Sequence, residues 1–226
     1  VPTSVAVCDN TLAGGLKQAT NTAGFQKYMY QFGVTPLSPA TFILYDRLLH
    51  IGGLSGTTTT AQTVQGATPS VTLNRYNTNS TSVGNLILVE IYTTIGATAT
   101  TITASYTNQD GTASRTTQAT TFGGSTYNAA TRAILLPLQS GDTGVQVVKD
   151  VTLAATTGTA GNFGVSIIRP LAICGSGIAG ISGFRDFTVS LPGIPEVISG
   201  ACLAMLMVPN ASAINELLGC VSLVEA

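Results

Sequence analysis

Charge is what this sequence has least of. Asp, Glu, Lys and Arg make up 8% of its 226 residues, against about 25% in ordinary soluble domains. Its nine Lys and Arg residues stand singly, so no basic stripe exists to neutralise phosphates, and nucleic acid is excluded as the main partner. Histidine is nearly missing too. His50 is the only one, and a catalytic triad would have to find its acid and its nucleophile around that residue. The four cysteines, Cys8, Cys174, Cys202 and Cys220, include no C-x-x-C pair, which argues against a zinc site. Tryptophan is absent, and this weakens a sugar-binding reading. Mean hydropathy is +0.37, yet the longest apolar run, Val197–Val208, contains a glycine and falls short of the roughly 20 residues of a spanning helix. The chain starts Val1–Pro2–Thr3 with neither a basic nor an apolar leader region, so no signal peptide is expected. The first residue is compatible with Met removal or with proteolytic maturation.

Hydroxyls, amides and glycines take the place of charge. Ile51–Asn74 and Val151–Ile168 contain no charged residue at all. A monomer of net charge −1 with such a surface has weak colloidal repulsion. Permanent interfaces are apolar and poor in Lys and Glu, so the composition points to a surface covered by copies of the same chain or by a partner.

Local patterns read as β-structure throughout. In Gly84–Thr117, Leu86–Ile91 is a dense apolar run, followed by a break at Ile95–Gly96–Ala97. Ile102, Ala104 and Tyr106 then alternate with Thr101, Thr103 and Ser105, the mark of a strand with one buried face. Asn108–Gln109–Asp110–Gly111 supplies hairpin chemistry, and Thr112–Thr120 is expected to return, giving a three-strand meander. Leu86–Ile91 is apolar on both faces, so it must be central to a sandwich or pressed on a neighbouring subunit. Further strands are expected over Thr41–Leu49, Thr131–Leu138, Val145–Ala155, Phe163–Cys174, Phe184–Leu191, Val197–Val208 and Gly219–Val224. Eight to ten strands with Gly, Asp or Asn turns every 8–15 residues are the pattern of an all-β antiparallel β-sandwich or jelly roll. The expected organisation is an irregular or extended N-terminal arm over 1–36, tacked on by Phe25, Tyr28, Tyr30 and Phe32, with a short helix over Gly24–Gln31 as the alternative. A single sandwich or jelly-roll domain is expected over 37–226.

Candidate chemistry is thin. His50, in an apolar run, reads as a structural residue. Glu90 sits inside the Leu86–Ile91 run, where an unpaired carboxylate is costly; Arg132 and Arg169 are candidate partners, an exposed face or a raised pKa the alternatives. Gly175–Gly180 spells a dinucleotide-binding G-x-G-x-x-G, but the residues after it, through Gly183 and Phe184, suit a strand and not the helix that this fingerprint requires. Asn108, Asp110 and Asp142 could bind Ca²⁺, although turn formation accounts for them. Cys202 and Cys220 form the best disulfide candidate; small buried thiols in a reducing cytosol are the favoured reading. The sequons at Asn79 and Asn210 matter only along a glycosylating secretory route. No catalytic residue, cofactor-binding residue, metal ligand or cofactor is assigned, and no enzyme activity is expected.

The runs ASYTNQDGTASRTT (Ala104–Thr117), ILLPLQSGDTGVQVV (Ile134–Val148) and TLAATTGTAGNFGVSIIRPLA (Thr152–Ala172), with ILYDRLLHIGGLSGT (Ile43–Thr57) upstream, resemble a group of tailed-bacteriophage virion structural proteins. The runs carrying the resemblance lie within Ile43–Ala172, a span of about half of the chain, and imply no catalytic residues. Size, β content and low charge add the expectation of a capsid decoration, or cement, protein. It would act as a symmetric homo-oligomer, a trimer, bound to the major capsid protein, with neither nucleic acid nor membrane as partner. It would be made in the bacterial host cytoplasm and end on the capsid surface of the virion. A tail, neck or fibre-associated protein and a glycan-binding jelly roll are the alternatives.

Overall fold

A computed structural model describes residues 3–12, 15–188, 193–209 and 216–226. In chain order the described elements begin with β1 (Ala6–Val7), β2 (Lys27–Pro36), β3 (Ala40–Leu54), β4 (Gln62–Thr63) and β5 (Leu86–Thr93). They continue with β6 (Thr100–Asn108), β7 (Arg115–Thr116), β8 (Thr120–Phe122), the one-turn helix α1 (Gly124–Tyr127) and β9 (Ala133–Leu136). The rest are β10 (Val145–Leu153), β11 (Asn162–Ser176), β12 (Gly183–Asp186), β13 (Leu203–Pro209) and β14 (Leu217–Glu225). The fold is all-β, and the registered strand pairs run antiparallel. Three sheets follow the orders β1-β3-β11-β5-β9 with β13 added on β3, β4-β10-β6-β7 with β8 added on β6, and β12-β2-β14.

Contact density divides the chain into two compact units: Val1–Cys8 with Arg47–Arg169, and Asp9–Asp46 with Pro170–Ala226. The long strands β3 and β11, of 15 residues each, contribute to both.

The first unit is a sandwich. Ile87, Val89 and Ile91 of β5, with Val165 and Ile167 of β11, share one core with Ile102, Ala104 and Tyr106 of β6 and Val145, Val148 and Val151 of β10. Phe122 and Phe163 meet edge-to-face within it, ring centroids 5.0 Å apart. β5 lies between β11 and β9; its residues Ile87, Val89 and Ile91 face the shared core, and its other face carries the buried Leu88 with the half-buried Leu86, Glu90 and Tyr92. The expected meander does not form across the Gly96 break. β5 belongs to one sheet and β6 to the other, and the backbone of Thr157 runs so close to Gly96 that a Cβ there would lie 1.6 Å from its carbonyl oxygen. The second half of the expectation does form. β6 turns at 108–111, where Gly111 has φ +78°, and returns as β7 and β8.

In the second unit, Phe32 and Val34 of β2 pack with Phe42 and Leu44 of β3, Ala172 and Cys174 of β11 and Leu203 of β13. β2 falls inside the region expected to be an irregular arm, and this corrects that expectation for 27–36: these residues are the middle strand of a sheet. The cause is a bulge. Ser222 pairs with Gln31 and the next residue, Leu223, with Met29, so Tyr30 is the extra residue. Met29, Phe32 and Val34 all face the core, at a spacing of three and then two that hides the strand period.

Candidate functional site

On the face of the first unit's larger sheet away from the shared core, β3, β5 and β11 bring together Arg47, His50, Glu90, Tyr92 and Ser166. Arg47 Nη2 donates to Glu90 Oε1 at 2.5 Å. Ser166 and Tyr92 hydroxyls donate to Glu90 Oε2 at 3.0 and 3.1 Å. His50 Nδ1 lies 2.9 Å from Ser166 Oγ, and its Nε2 lies 3.2 Å from Tyr92 Oη. His50 is 2% exposed and Ser166 0%. Gly164 opens the space for these rings, since a Cβ there would lie 2.7 Å from the Tyr92 ring and 2.9 Å from that of His50.

The order of groups decides what this cluster can do. In a serine triad the imidazole stands between acid and hydroxyl, so that it can take the proton of the nucleophile. Here the Ser166 hydroxyl stands between His50 and Glu90, and it is sealed from solvent. The cluster is wired to satisfy buried polar groups. Burial, reinforced by the Arg47 guanidinium, pushes the His50 pKa down to about 4. The Glu90 carboxylate lies 3.9 Å from Nδ1, but burial and the Arg47 guanidinium outweigh it at the ring. Glu90 therefore pairs with Arg47, and not with Arg132 or Arg169; Arg169 stacks over the Tyr76 ring instead, at 4.9 Å.

A second network ties down the hairpin after β6. Asp142 takes a two-pronged bond from Arg115, at 2.9 and 3.1 Å, together with the Tyr106 hydroxyl at 2.5 Å and Asn108 Nδ2 at 2.8 Å. The Arg115 bonds lead in holding the Asp142 carboxyl down at about 2. Burial, with the Asp142 hydrogen bond next, pushes Tyr106 up to about 12. Asn108 Oδ1 caps the turn through the amides of Asp110 and Thr112. Asn108 and Asp142 spend their oxygens on the protein itself, and no cluster of three or more metal-binding side chains occurs among the described residues.

The remaining candidates resolve simply. After Ser176 the chain leaves β11, turns through Gly180 at φ +70° and enters β12; no helix follows, so a dinucleotide fingerprint does not apply. Among the described residues no disulfide forms: Cys8, Cys174 and Cys202 are buried, and Cys220 is exposed. Asn79 accepts a bond from Gln146 beside the hairpin, while Asn210 lies outside the described residues. No described helix is long and apolar enough to cross a membrane.

What stands out is surface. Of fifteen exposed large hydrophobic side chains among the described residues, the first unit carries three, Val83, Tyr127 and Leu135, and the smaller second unit carries twelve. They concentrate on the three-stranded sheet and its flanks, with Leu218 79% and Phe184 56% exposed. On the outward face of that sheet, Leu218, Cys220 and Phe184 border a depression of about 260 Å³ floored by Gly33. On its inner side, an apolar cleft of about 280 Å³ runs past Phe32, Leu44, Met205, Gly219 and Val221, with Lys17 among its lining residues. Composition alone raised the expectation of a covered surface, and nothing in it indicated that the apolar excess gathers in one unit.

No family model, curated protein or solved structure matches this chain.

Proposed function

We propose that the protein is a structural component of a phage virion, a capsid decoration protein that cements the head lattice as a symmetric homo-oligomer. The observation that carries this reading is the apolar surface of the second unit, which among the described residues holds twelve of the fifteen exposed large hydrophobic side chains. Apolar contact area of this kind suits permanent assembly, and a particle supplies such partners at high local density. The resemblance of Ala104–Thr117, Ile134–Val148 and Thr152–Ala172 to phage virion proteins supports the same reading.

The mechanism is multivalent attachment. Each contact with a major capsid subunit is modest, but an oligomer touching several subunits of a mature lattice gains effective concentration for every contact after the first. Binding energy that exists only in the expanded lattice then opposes its rupture.

Purified protein mixed with mature and immature heads of the encoding phage tests this. Saturable co-sedimentation with mature heads at a fixed copy number, density on the outer surface by cryo-electron microscopy and a higher temperature of head opening are expected. A protein that binds neither form of the head, or whose density appears only on the tail or neck, overturns it.

A further inference from the structure

We infer that β14 is a self-pairing edge. Two copies of this chain join their β14 strands antiparallel about a two-fold axis at Val221, merging two three-stranded sheets into one of six strands. The contact is independent of the virion reading, because it rests only on the edge itself.

Among the described residues, β14 is a terminal strand of the β12-β2-β14 sheet and pairs on one side only, with β2. Its nine residues, LLGCVSLVE, span about 30 Å and leave a row of backbone donors and acceptors on the other side. Sheet edges are usually protected by shortness, Lys, Pro or a bulge. The opposite edge of this sheet has such protection, because β12 is four residues long and carries Arg185 and Asp186. β14 has none of it. It contains neither Lys nor Pro, and the bulge in its pairing with β2 places the extra residue, Tyr30, in β2. Its single charge, Glu225, lies at the end of the strand, 3.6 Å from Lys27 Nζ.

The occupant follows from the strand's own pattern. Val221 pairs with the buried Phe32, so 217, 219, 221 and 223 face the core side while 218, 220, 222 and 224 face outward. A two-fold at Val221 sets residue 218 of one copy opposite 224 of the other, and 219 opposite 223. On the outward face this matches Leu218, 79% exposed, with Val224, 44% exposed, and Cys220 with Ser222. On the core side it matches Gly219, which lines the apolar cleft, with Leu223 of the second copy, so that a side chain meets a position without one. No like charges oppose each other. Antiparallel pairing over this length supplies about eight backbone hydrogen bonds, within the roughly ten of a standard protein interface. The contact is isologous and closes at two copies; a three-fold arrangement would need a second contact.

Sedimentation of the whole chain at micromolar to 100 µM concentration tests the pairing. Wild type is expected as a dimer. L218K/V224K sets lysine against lysine across the axis and is expected to be monomeric with an unchanged circular dichroism spectrum. L218K/V224E sets opposite charges across the same positions and is expected to restore the dimer. These two positions lie about 20 Å apart along one strand, so the rescue reports pairing between copies. S222C is expected to oxidise into a dimer linked through Cys220. A monomeric wild type at 100 µM, a dimer that survives L218K/V224K, or a wild-type dimer linked Cys220 to Cys220, which signifies a shifted register, overturns the proposal. A wild type that lacks this pairing but still decorates heads as another oligomer overturns the pairing and leaves the virion reading standing; a dimer that ignores heads does the reverse.

Discussion

His50 is the only histidine in the chain, and its burial gives stability a pH dependence that can be assigned to one residue. The unfolded chain takes a proton on this ring near 6.5, whereas the folded ring, held among Ser166, Tyr92 and Arg47, resists it until about 4. A folded pKa below the unfolded one means that acid favours the unfolded state. Stability is full above about pH 7, falls as pH drops from 6.5 to 4, and loses nothing more from this group below that. Between pH 7 and pH 4.5 this linkage costs about 2 kcal/mol. Asp142 adds little there, because its unfolded value of 3.8 lies below the window and its folded value is near 2; its own contribution disappears only as pH falls from about 4 toward 2.

The perturbation is His50→Gln, which keeps a donor and an acceptor in the network and removes the titration. Tyrosine fluorescence serves as the unfolding probe, since the chain has seven Tyr and no Trp. Urea unfolding of wild type is expected to lose about 2 kcal/mol between pH 7 and pH 4.5, and that of His50→Gln well under half of that, from a starting stability lower by about 1 kcal/mol. The imidazole proton resonance of native protein is expected to titrate with a midpoint near 4. A midpoint near 6.5, or the same acid loss in both proteins, refutes the argument that burial and Arg47 outweigh the nearby Glu90 carboxylate.

The same geometry yields three further outcomes. Gly164→Ala pushes a methyl group against the Tyr92 and His50 rings and the Ile51 carbonyl oxygen, 2.4 Å from the new carbon; a loss of about 3 kcal/mol in denaturant unfolding is expected. Asp142→Asn breaks the bond pair with Arg115 and weakens that with Tyr106; a loss of about 2–3 kcal/mol at pH 7 is expected, along with a fall of the Tyr106 value from about 12 in an absorbance titration. Thr131, β-branched and exposed at φ +70°, is expected to gain about 1 kcal/mol as Thr131→Gly by relief of left-handed strain, read as a higher melting temperature.

How much was legible in the residues follows from their periods. β6 alternates cleanly and was readable, as was the Asp-Gly turn between β6 and β7; β10 was readable as a strand, but register shifts space its core residues Val145, Val148, Val151 and Leu153 by three, three and two, so its buried face was not. β2 was not, because its bulge at Tyr30 turns a two-residue period into a mixed one. The split of β5 and β6 into different sheets was hidden as well: Gly96 marks a break, but only Thr157, 61 residues later, shows that another backbone passes there. The Arg47–Glu90 pair joins positions 43 residues apart, beyond any local pattern. Gly164 was the available clue, since a glycine inside an apolar strand signals a close approach.

The scarcity of charge has a different physical consequence in each unit. In the first, Arg47 with Glu90 and Arg115 with Asp142 are committed to internal pairs, while Thr, Asn and Gln side chains bind the loops that carry them. Such a surface can remain solvated, because little large apolar area is left outside. The second unit leaves its apolar side chains outside, and a net charge of −1 over the whole chain offers almost no repulsion to keep them apart. An edge such as β14, long and without a lysine, would then recruit strands indiscriminately unless one pairing were better than the rest. The match of Leu218 with Val224 and of Gly219 with Leu223 supplies that preference. Self-pairing accordingly doubles as protection: closing the edge at two copies pairs its open backbone groups and leaves the outward apolar face of the merged sheet for a further partner.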